Sequence, residues 1–196
     1  MNRIQAQFRL QRPAFTLQAA FDVAAKGVTA LFGHSGSGKT TLLRCLAGLE
    51  RAEGHLQVCD DIWQDDARGI FLPTHARPLG YVFQDARLFA HLTARRNLEY
   101  GWRRLAQGQR PEVEPVVELL GLESLLGRYP HQLSGGEHHR VAICRALLTH
   151  PHLLPLDYPH SAPEASPIDA HLTSPHHPRH ARERPIAYAT PVAVVA

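Results

Sequence analysis

No stretch of this sequence approaches the ~20 consecutive apolar residues that a membrane-spanning helix needs. The N-terminal residues likewise hold no apolar core of the signal-peptide kind. Both absences argue for a soluble chain whose membrane role, if it has one, comes through a partner. Cysteine is scarce. Cys45, Cys59 and Cys144 form an odd, scattered set without metal-ligand spacing, which excludes a disulfide scaffold and fits a reducing cytosol. Charge of one sign is also lacking. The net charge is +3, too small to make an electrostatic case for nucleic acid, and the histidines add to it only in acid. With 196 residues the chain can bury a proper core, as one domain or as a domain with a subdomain.

The strongest positive feature is Gly33-His34-Ser35-Gly36-Ser37-Gly38-Lys39-Thr40, which fits G-x-x-x-x-G-K-[ST]. The apolar run Val28–Phe32 before it reads as a buried strand, and Lys39–Ala47 after it reads as a helix that stops at Gly48. This strand–loop–helix context raises the pattern above a chance Gly/Ser turn. Glycines let successive backbone N–H groups turn inward onto phosphate oxygens, and the helix N-terminus adds partial positive charge. Gly33 through Thr41 thus form a candidate phosphate cradle. Lys39 would reach the β- and γ-phosphates of ATP, and the Thr40 hydroxyl would ligate Mg²⁺.

Around this loop the pattern is that of an α/β core. Ile4–Leu10, Phe15–Phe21, Gly54–Val58 and Leu79–Phe83 read as further strands. From Asp85 the character changes, and Asn97–Arg104, Val113–Leu120 and Glu137–Leu148 carry helical periodicity. A helical subdomain over about 85–148 is therefore expected within an ATP-binding domain spanning 1–158. Inside it, Leu133-Ser134-Gly135-Gly136-Glu137 supports two readings. Ser134 and Glu137 make a capping box, and two glycines, a hydroxyl and a helix N-terminus make a second anion site. Behind a phosphate loop the second reading is the expected one. Beyond His150 the composition shifts, with nine of the fifteen prolines lying there. Pro151, Pro155, Pro159, Pro163 and Pro167 recur at every fourth residue, a spacing that neither a helix nor a central strand accommodates. Residues 159–196 are thus expected to be a poorly ordered remainder. A metal site at His176, His177 and His180 lacks carboxylate or cysteine partners at ligand spacing.

The phosphate loop, Phe83-Gln84-Asp85, and LSGGE followed by His138-His139-Arg140-Val141 together resemble the nucleotide-binding subunit of an ABC transporter. Within that superfamily, Gly69-Ile70-Phe71-Leu72-Pro73, Gly80–Phe89, Asn97-Leu98 and Tyr100-Gly101 are similar to the molybdate importer's ATPase, the ModC family, and the match covers residues 1 to about 154. The resemblance implies a P-loop NTPase core of the ABC-ATPase type. It implies ATP and Mg²⁺ as cofactors, and a head-to-tail homodimer with ATP held between Gly33–Thr41 of one subunit and Ser134–Glu137 of the other. Gln84 would contact the Mg²⁺ or water region and link it to the helical subdomain. That subdomain would dock on permease subunits at the cytoplasmic face of the inner membrane, with a substrate-binding protein acting indirectly. Phe83, Leu88, Phe89 and Leu92, with Arg87, Arg95 and Arg96 among them, either pack the subdomain internally or line a groove for a permease helix.

The sequence also departs from the family. Its apolar strand ending in Asp-Glu-Pro reads here Leu153-Leu154-Pro155-Leu156-Asp157-Tyr158-Pro159. Asp157 keeps the carboxylate expected to hold Mg²⁺, but Tyr158 replaces the glutamate that polarises the attacking water. A phenol with a pKa of about 10 is a poor base at neutral pH. Ser161-Ala162-Pro163-Glu164 stands at the Ser-Ala-Leu-Asp turn, and Tyr188-Ala189-Thr190-Pro191 puts proline where the family has its γ-phosphate histidine. Matches persist at the family's spacing between these departures, so substitution explains them better than a single frameshift. The chain ends at Ala196, short of the remaining core strands and the molybdate-binding regulatory domain typical of the family. The expectation is a clear nucleotide-binding front half with an incomplete C-terminal part. Three readings stay open: a molybdate-type importer ATPase, a module that holds ATP but hydrolyses little, and a decayed copy that does not fold stably. Sulfate or phosphate remain alternative substrates.

Overall fold

Alternation along the first strand sets the architecture. In β1 (Arg3–Gln11) Ile4, Ala6 and Phe8 are buried while Gln5, Gln7 and Arg9 are exposed, the period-two pattern of a sheet with one wet face. β1 pairs antiparallel with β2 (Thr16–Ala24) and with β4 (Glu53–Val58), which continues into β5 (Asp61–Asp65) and β6 (Ile70–Phe71). The result is a five-stranded antiparallel sheet in the order β2-β1-β4-β5-β6. This computed structural model describes residues 2–157 and the backbone of 185–190. Tyr158, Ser161–Glu164, His176, His177, His180 and Pro191 lie outside the described residues, with the rest of 158–184 and 191–196.

The second sheet is parallel, in the order β3 (Gly27–Phe32), β8 (Pro185–Thr190), β7 (Leu154–Asp157). β8 falls in the region read as poorly ordered, so that expectation does not hold at Pro185–Thr190. The strand sits between the other two, with Thr190 level with Phe32 and Ala189 level with Asp157. β7 also departs from expectation, because it forms although it carries Pro155. The cost is local. Gly80 N donates to Leu153 O at 3.1 Å, Val82 N to Pro155 O at 3.0 Å and Asp157 N to Val82 O at 3.0 Å. The missing rung is the one that an N–H at 155 would give to Gly80 O. Residues 79–82 accordingly run beside β7 as isolated bridges, Leu79 to Leu153 and Val82 to Leu156, where a regular strand was expected.

Two apolar cores meet at this sheet. Ile4, Phe8, Leu43, Leu46, Leu56, Val58, Trp63 and Leu153 form one, under α1 (Lys39–Ala47). Val82, Leu98, Leu122, Val141, Ile143, Leu148, Leu154 and Leu156 form the other, among the helices α2 (Ala94–Trp102), α3 (Glu114–Leu119) and α4 (Gly135–Leu147). Adjacent residues Leu153 and Leu154 face opposite cores, so β7 is the wall between them. Each such fully buried leucine contributes about 1.5–3 kcal/mol.

The direction of α1 is fixed from behind. Arg77 is buried with its guanidinium at the helix C-terminus. Its Nη1 donates to Cys45 O at 3.1 Å and Leu46 O at 2.7 Å, and its Nε to Leu72 O at 2.8 Å. Burial lowers this guanidinium to about 10. The negative end of the helix dipole favours the cation there. A Cβ on Gly48 would come within 2.7 Å of the guanidinium carbon, so the helix-ending glycine also makes room for this anchor.

Candidate functional site

The phosphate loop folds around its own lysine. Gly36 and Gly38 have φ of 80° and 91°, values that cost an L side chain energy and cost glycine little. These turns bring the chain round so that Lys39 Nζ donates to Gly33 O at 2.7 Å and His34 O at 2.9 Å, with Ser37 Oγ at 3.5 Å. The ammonium thus lies across the mouth of the loop. The N-cap of α1 is Gly38, and no side chain caps the helix. Its first N–H groups stay available to an anion at the positive end of the dipole.

At the next residue, Thr40 Oγ1 donates to Asp157 Oδ1 at 2.9 Å, joining residues 117 apart in the sequence. Asp157 is 7% exposed, and among the described residues no Lys or Arg forms an ion pair with it. A buried carboxylate without a cation is costly. A hydroxyl beside such a carboxylate is an all-oxygen donor pair of the kind Mg²⁺ takes together with phosphate oxygens and water. Among the described residues no cluster of three or more His, Cys, Asp or Glu side chains exists that would suit a transition metal. Tyr81, partly buried beside Asp157, has its phenol pushed up by burial and then by that negative charge.

The expected anion site at the start of α4 is built as the capping box requires. Ser134 Oγ accepts from Glu137 N at 3.3 Å, and Glu137 Oε2 accepts from Ser134 N at 2.7 Å. These bonds hold the Glu137 carboxyl below its usual range, with Arg128 at 3.8 Å adding to the effect. The cap is therefore intact at neutral pH, and weakens as the pH falls through that lowered value. Gly135 and Gly136 are exposed at the helix tip.

Lys39, Thr40 and Asp157 thus come together, while Ser134–Glu137 forms a separate cluster of its own. Gln84 is exposed on the turn that follows Phe83, and its link is to the second cluster. His139 has Nδ1 2.9 Å from Gly135 O and Nε2 2.8 Å from Gln84 O. Sequence reasoning quoted His139 and Asn97 only as parts of motifs and passed over Arg145, and it gave none of the three the role of holding this loop. Their partners lie elsewhere in the chain, or in a loop without periodicity, and no local pattern marks them. It also missed Phe15 as anything but a strand residue. β2 begins one residue later, leaving Phe15 37% exposed, with its ring edge 3.5 Å from where a Cβ on Gly38 would stand. Of the apolar groove candidates, Leu88 packs on the helical core. Phe89 packs against Tyr100, with ring centroids 4.3 Å apart and planes tilted by 44°, and lies under the Arg145 guanidinium.

Strand, phosphate loop, helix and a buried aspartate at the end of a parallel strand define a nucleotide-binding core, and a family model for ABC transporters matches residues 17–161. The chain belongs to the ABC transporter family. Its ABC-ATPase fold is shared with cbiO1 from Clostridium perfringens, described as part of the ABC transporter complex cbiONQ. The TM-score is 0.75 at 22% identity, over 97% of this chain and 78% of that one. The molybdenum import ATP-binding protein ModC of Thiobacillus denitrificans is 60% identical over 161 residues, 81% of this chain and 44% of that protein. The ModC of Aromatoleum aromaticum is 58% identical over the same length, covering 43% of that protein. ModC 1 of Azotobacter vinelandii is 58% identical, with 45% of it covered. The chain thus spans less than half the length of these curated relatives. Among its described residues no helix is long and apolar enough to cross a membrane.

Proposed function

We propose that this chain is the ATP-binding subunit of a molybdate ABC importer. It would work as a head-to-tail homodimer against permease subunits at the cytoplasmic face of the inner membrane. The observation that carries ATP binding is the convergence of Lys39, Thr40 and Asp157 at the uncapped N-terminus of α1. Support for molybdate comes from the relatives named for molybdenum import, one of them 60% identical over 161 residues. The N–H groups of Gly33–Thr41 receive the phosphates, and Lys39 turns its donors from the Gly33 and His34 carbonyls to phosphate oxygens. Thr40 and Asp157 hold Mg²⁺, which when bound neutralises charge on the β- and γ-phosphates. Ser134–Glu137 presents its helix N-terminus to the nucleotide of the other subunit, and Gln84 faces the metal and water region. Phe15, exposed beside Gly38, offers a face for the adenine. Phe15→Ala should weaken ATP binding by about 1 kcal/mol, at the low end for base stacking on a half-exposed ring. A filter-binding titration that gives unchanged affinity would remove Phe15 from the site.

A second reading is carried by Tyr158 and Pro191, which occupy the family's glutamate and histidine positions. On this reading the chain binds ATP and hydrolyses it slowly, acting as a binding module in its assembly. The importer assignment itself is tested by capture. The chain should co-purify with a molybdate-type permease, and Phe89→Ala with Tyr100→Ala should break that association while ATP binding persists. If the double variant assembles normally, the surface is wrong. If only a permease for sulfate, phosphate or another substrate captures the chain, the molybdate assignment falls.

A further inference from the structure

We propose that His139 and Arg145 are positioning residues that fasten the Gln84–Phe89 loop to α4, so that what happens at the N-terminus of α4 is transmitted to Gln84. The proposal rests on the reading of Ser134–Glu137 and Gln84 as nucleotide-facing groups.

The loop is not held by its own conformational preference. Ala86 and Arg87 are consecutive non-glycine residues with φ of 58° and 44°. Left-handed backbone is unfavourable for an L-residue, and such strain persists only where the surroundings over-determine it. Within the turn, Ala86 N donates to Phe83 O at 2.9 Å, Arg87 N to Asp85 O at 2.6 Å, and the Arg87 guanidinium pairs with Asp85 over the Phe83 ring; from outside, the turn is held by one helix. Arg145, in the last turn of α4, donates through Nη1 to Arg87 O at 2.9 Å and through Nη2 to Ala86 O at 3.1 Å. Burial lowers this guanidinium, and among the described residues no carboxylate forms an ion pair with it. The two loop carbonyls, with the Phe89 ring under the guanidinium at 5.4 Å, compensate this half-buried cation, so helix and loop depend on each other.

Six residues earlier on the same helix, His139 joins the other end of the loop. Its ring spans Gln84 O and Gly135 O, so one side chain touches both the glutamine turn and the glycine of the anion site. A neutral imidazole has one N–H to give between these two acceptors, and an imidazolium has two. Between the two clamps Val141, Ala142, Ile143 and Cys144 are buried in the helical core, so α4 moves with that core rather than by itself. Past Phe89 the chain is pinned separately. Asn97, fully buried on α2, accepts from Phe89 N at 2.8 Å and donates to Phe89 O, Leu92 O and Thr93 O, each at 3.1 Å. Residues 84–87 thus follow α4, and residues 89–93 follow α2. In the head-to-tail pair proposed above, the α4 link would join the two nucleotide sites through a single imidazole.

The test is hydrogen exchange on the full chain, nucleotide-free and with Mg-ATP, for wild type, His139→Ala, His139→Gln and Arg145→Ala. In the nucleotide-free chain His139→Ala should speed exchange across residues 84–87 by on the order of tenfold, the loss expected for one net hydrogen bond. Exchange in α1, whose residues His139 does not bond, should not change. With Mg-ATP, wild type should gain protection at 84–87 together with 134–139, whereas in His139→Ala the gain at 84–87 should be lost. His139→Gln, whose amide offers two N–H groups, should recover most of the wild-type response. Exchange at 84–87 that is the same in wild type and His139→Ala overturns the proposal. If Arg145→Ala loosens all of α4, His139→Ala decides alone, because its ring lies at the surface of the helix. Absence of Mg-ATP binding by wild type would contradict the nucleotide reading, and the nucleotide-free comparison would still decide whether His139 holds the loop.

Discussion

Replacing Tyr158 with glutamate and Pro191 with histidine is expected to raise the ATP turnover of this chain by ~10²–10⁴-fold, the contribution of a positioned general base. The upstream machinery is in place. Lys39 lies across the loop mouth, and Asp157 is buried and hydrogen-bonded to Thr40 at 2.9 Å. By the proposed resemblance, Tyr158 stands where the family puts the glutamate that polarises water, and a phenol of ordinary pKa, about 10, is a poor general base at neutral pH. β8 ends at Thr190, level with Phe32 at the threshold of the phosphate loop. Steady-state phosphate release from wild type and the double variant is the measurement. Rapid turnover by wild type at neutral pH, or no gain in a variant that still binds ATP, would contradict it. Since β7 forms with Pro155 in place, turnover should recover without changing that proline.

Lys39→Ala should weaken Mg-ATP binding by about 1.5–3 kcal/mol, the range for a hydrogen bond to a charged group. That corresponds to ~10–150-fold in Kd. The variant also leaves Gly33 O and His34 O without their donor, so the empty loop should loosen as affinity falls. The fold should survive, because α1 is held by Leu43 and Leu46 in the core and by Arg77 at its C-terminus. Unchanged affinity in a folded Lys39→Ala variant would show that the lysine does not meet the nucleotide.

Much of this molecule was legible where the physics is local. The phosphate loop, the helix ending at Gly48 and the Ser134–Glu137 box are short patterns whose residues act on their own neighbours, and each stands where the sequence put it. β1 was legible because its burial alternates without a break. The β5–β6 hairpin was not, since Asp61–Asp65 begins and ends on aspartate and β6 is two residues long. α2 begins at Ala94, ahead of the expected Asn97, because Thr93 caps it by accepting from Arg96 N. Pro155 and the prolines beyond it argued against strands. Yet a proline costs one rung, and a strand paired on both sides absorbs that cost. The loop after Gln84 was opaque for a different reason. Its geometry comes from His139 and Arg145, 55 to 59 residues away, and nothing in the local sequence announces such contacts.

The central claim is the proposal that Lys39, Thr40 and Asp157 form a working Mg-ATP site, and that Tyr158 and Pro191 make its turnover slow. The most direct test is to measure equilibrium Mg-ATP binding and ATP turnover side by side on the same purified chain. The account predicts saturable binding that is lost on removing Mg²⁺ or substituting Lys39, together with turnover far below what the binding would support. A folded chain that binds no Mg-ATP would contradict it.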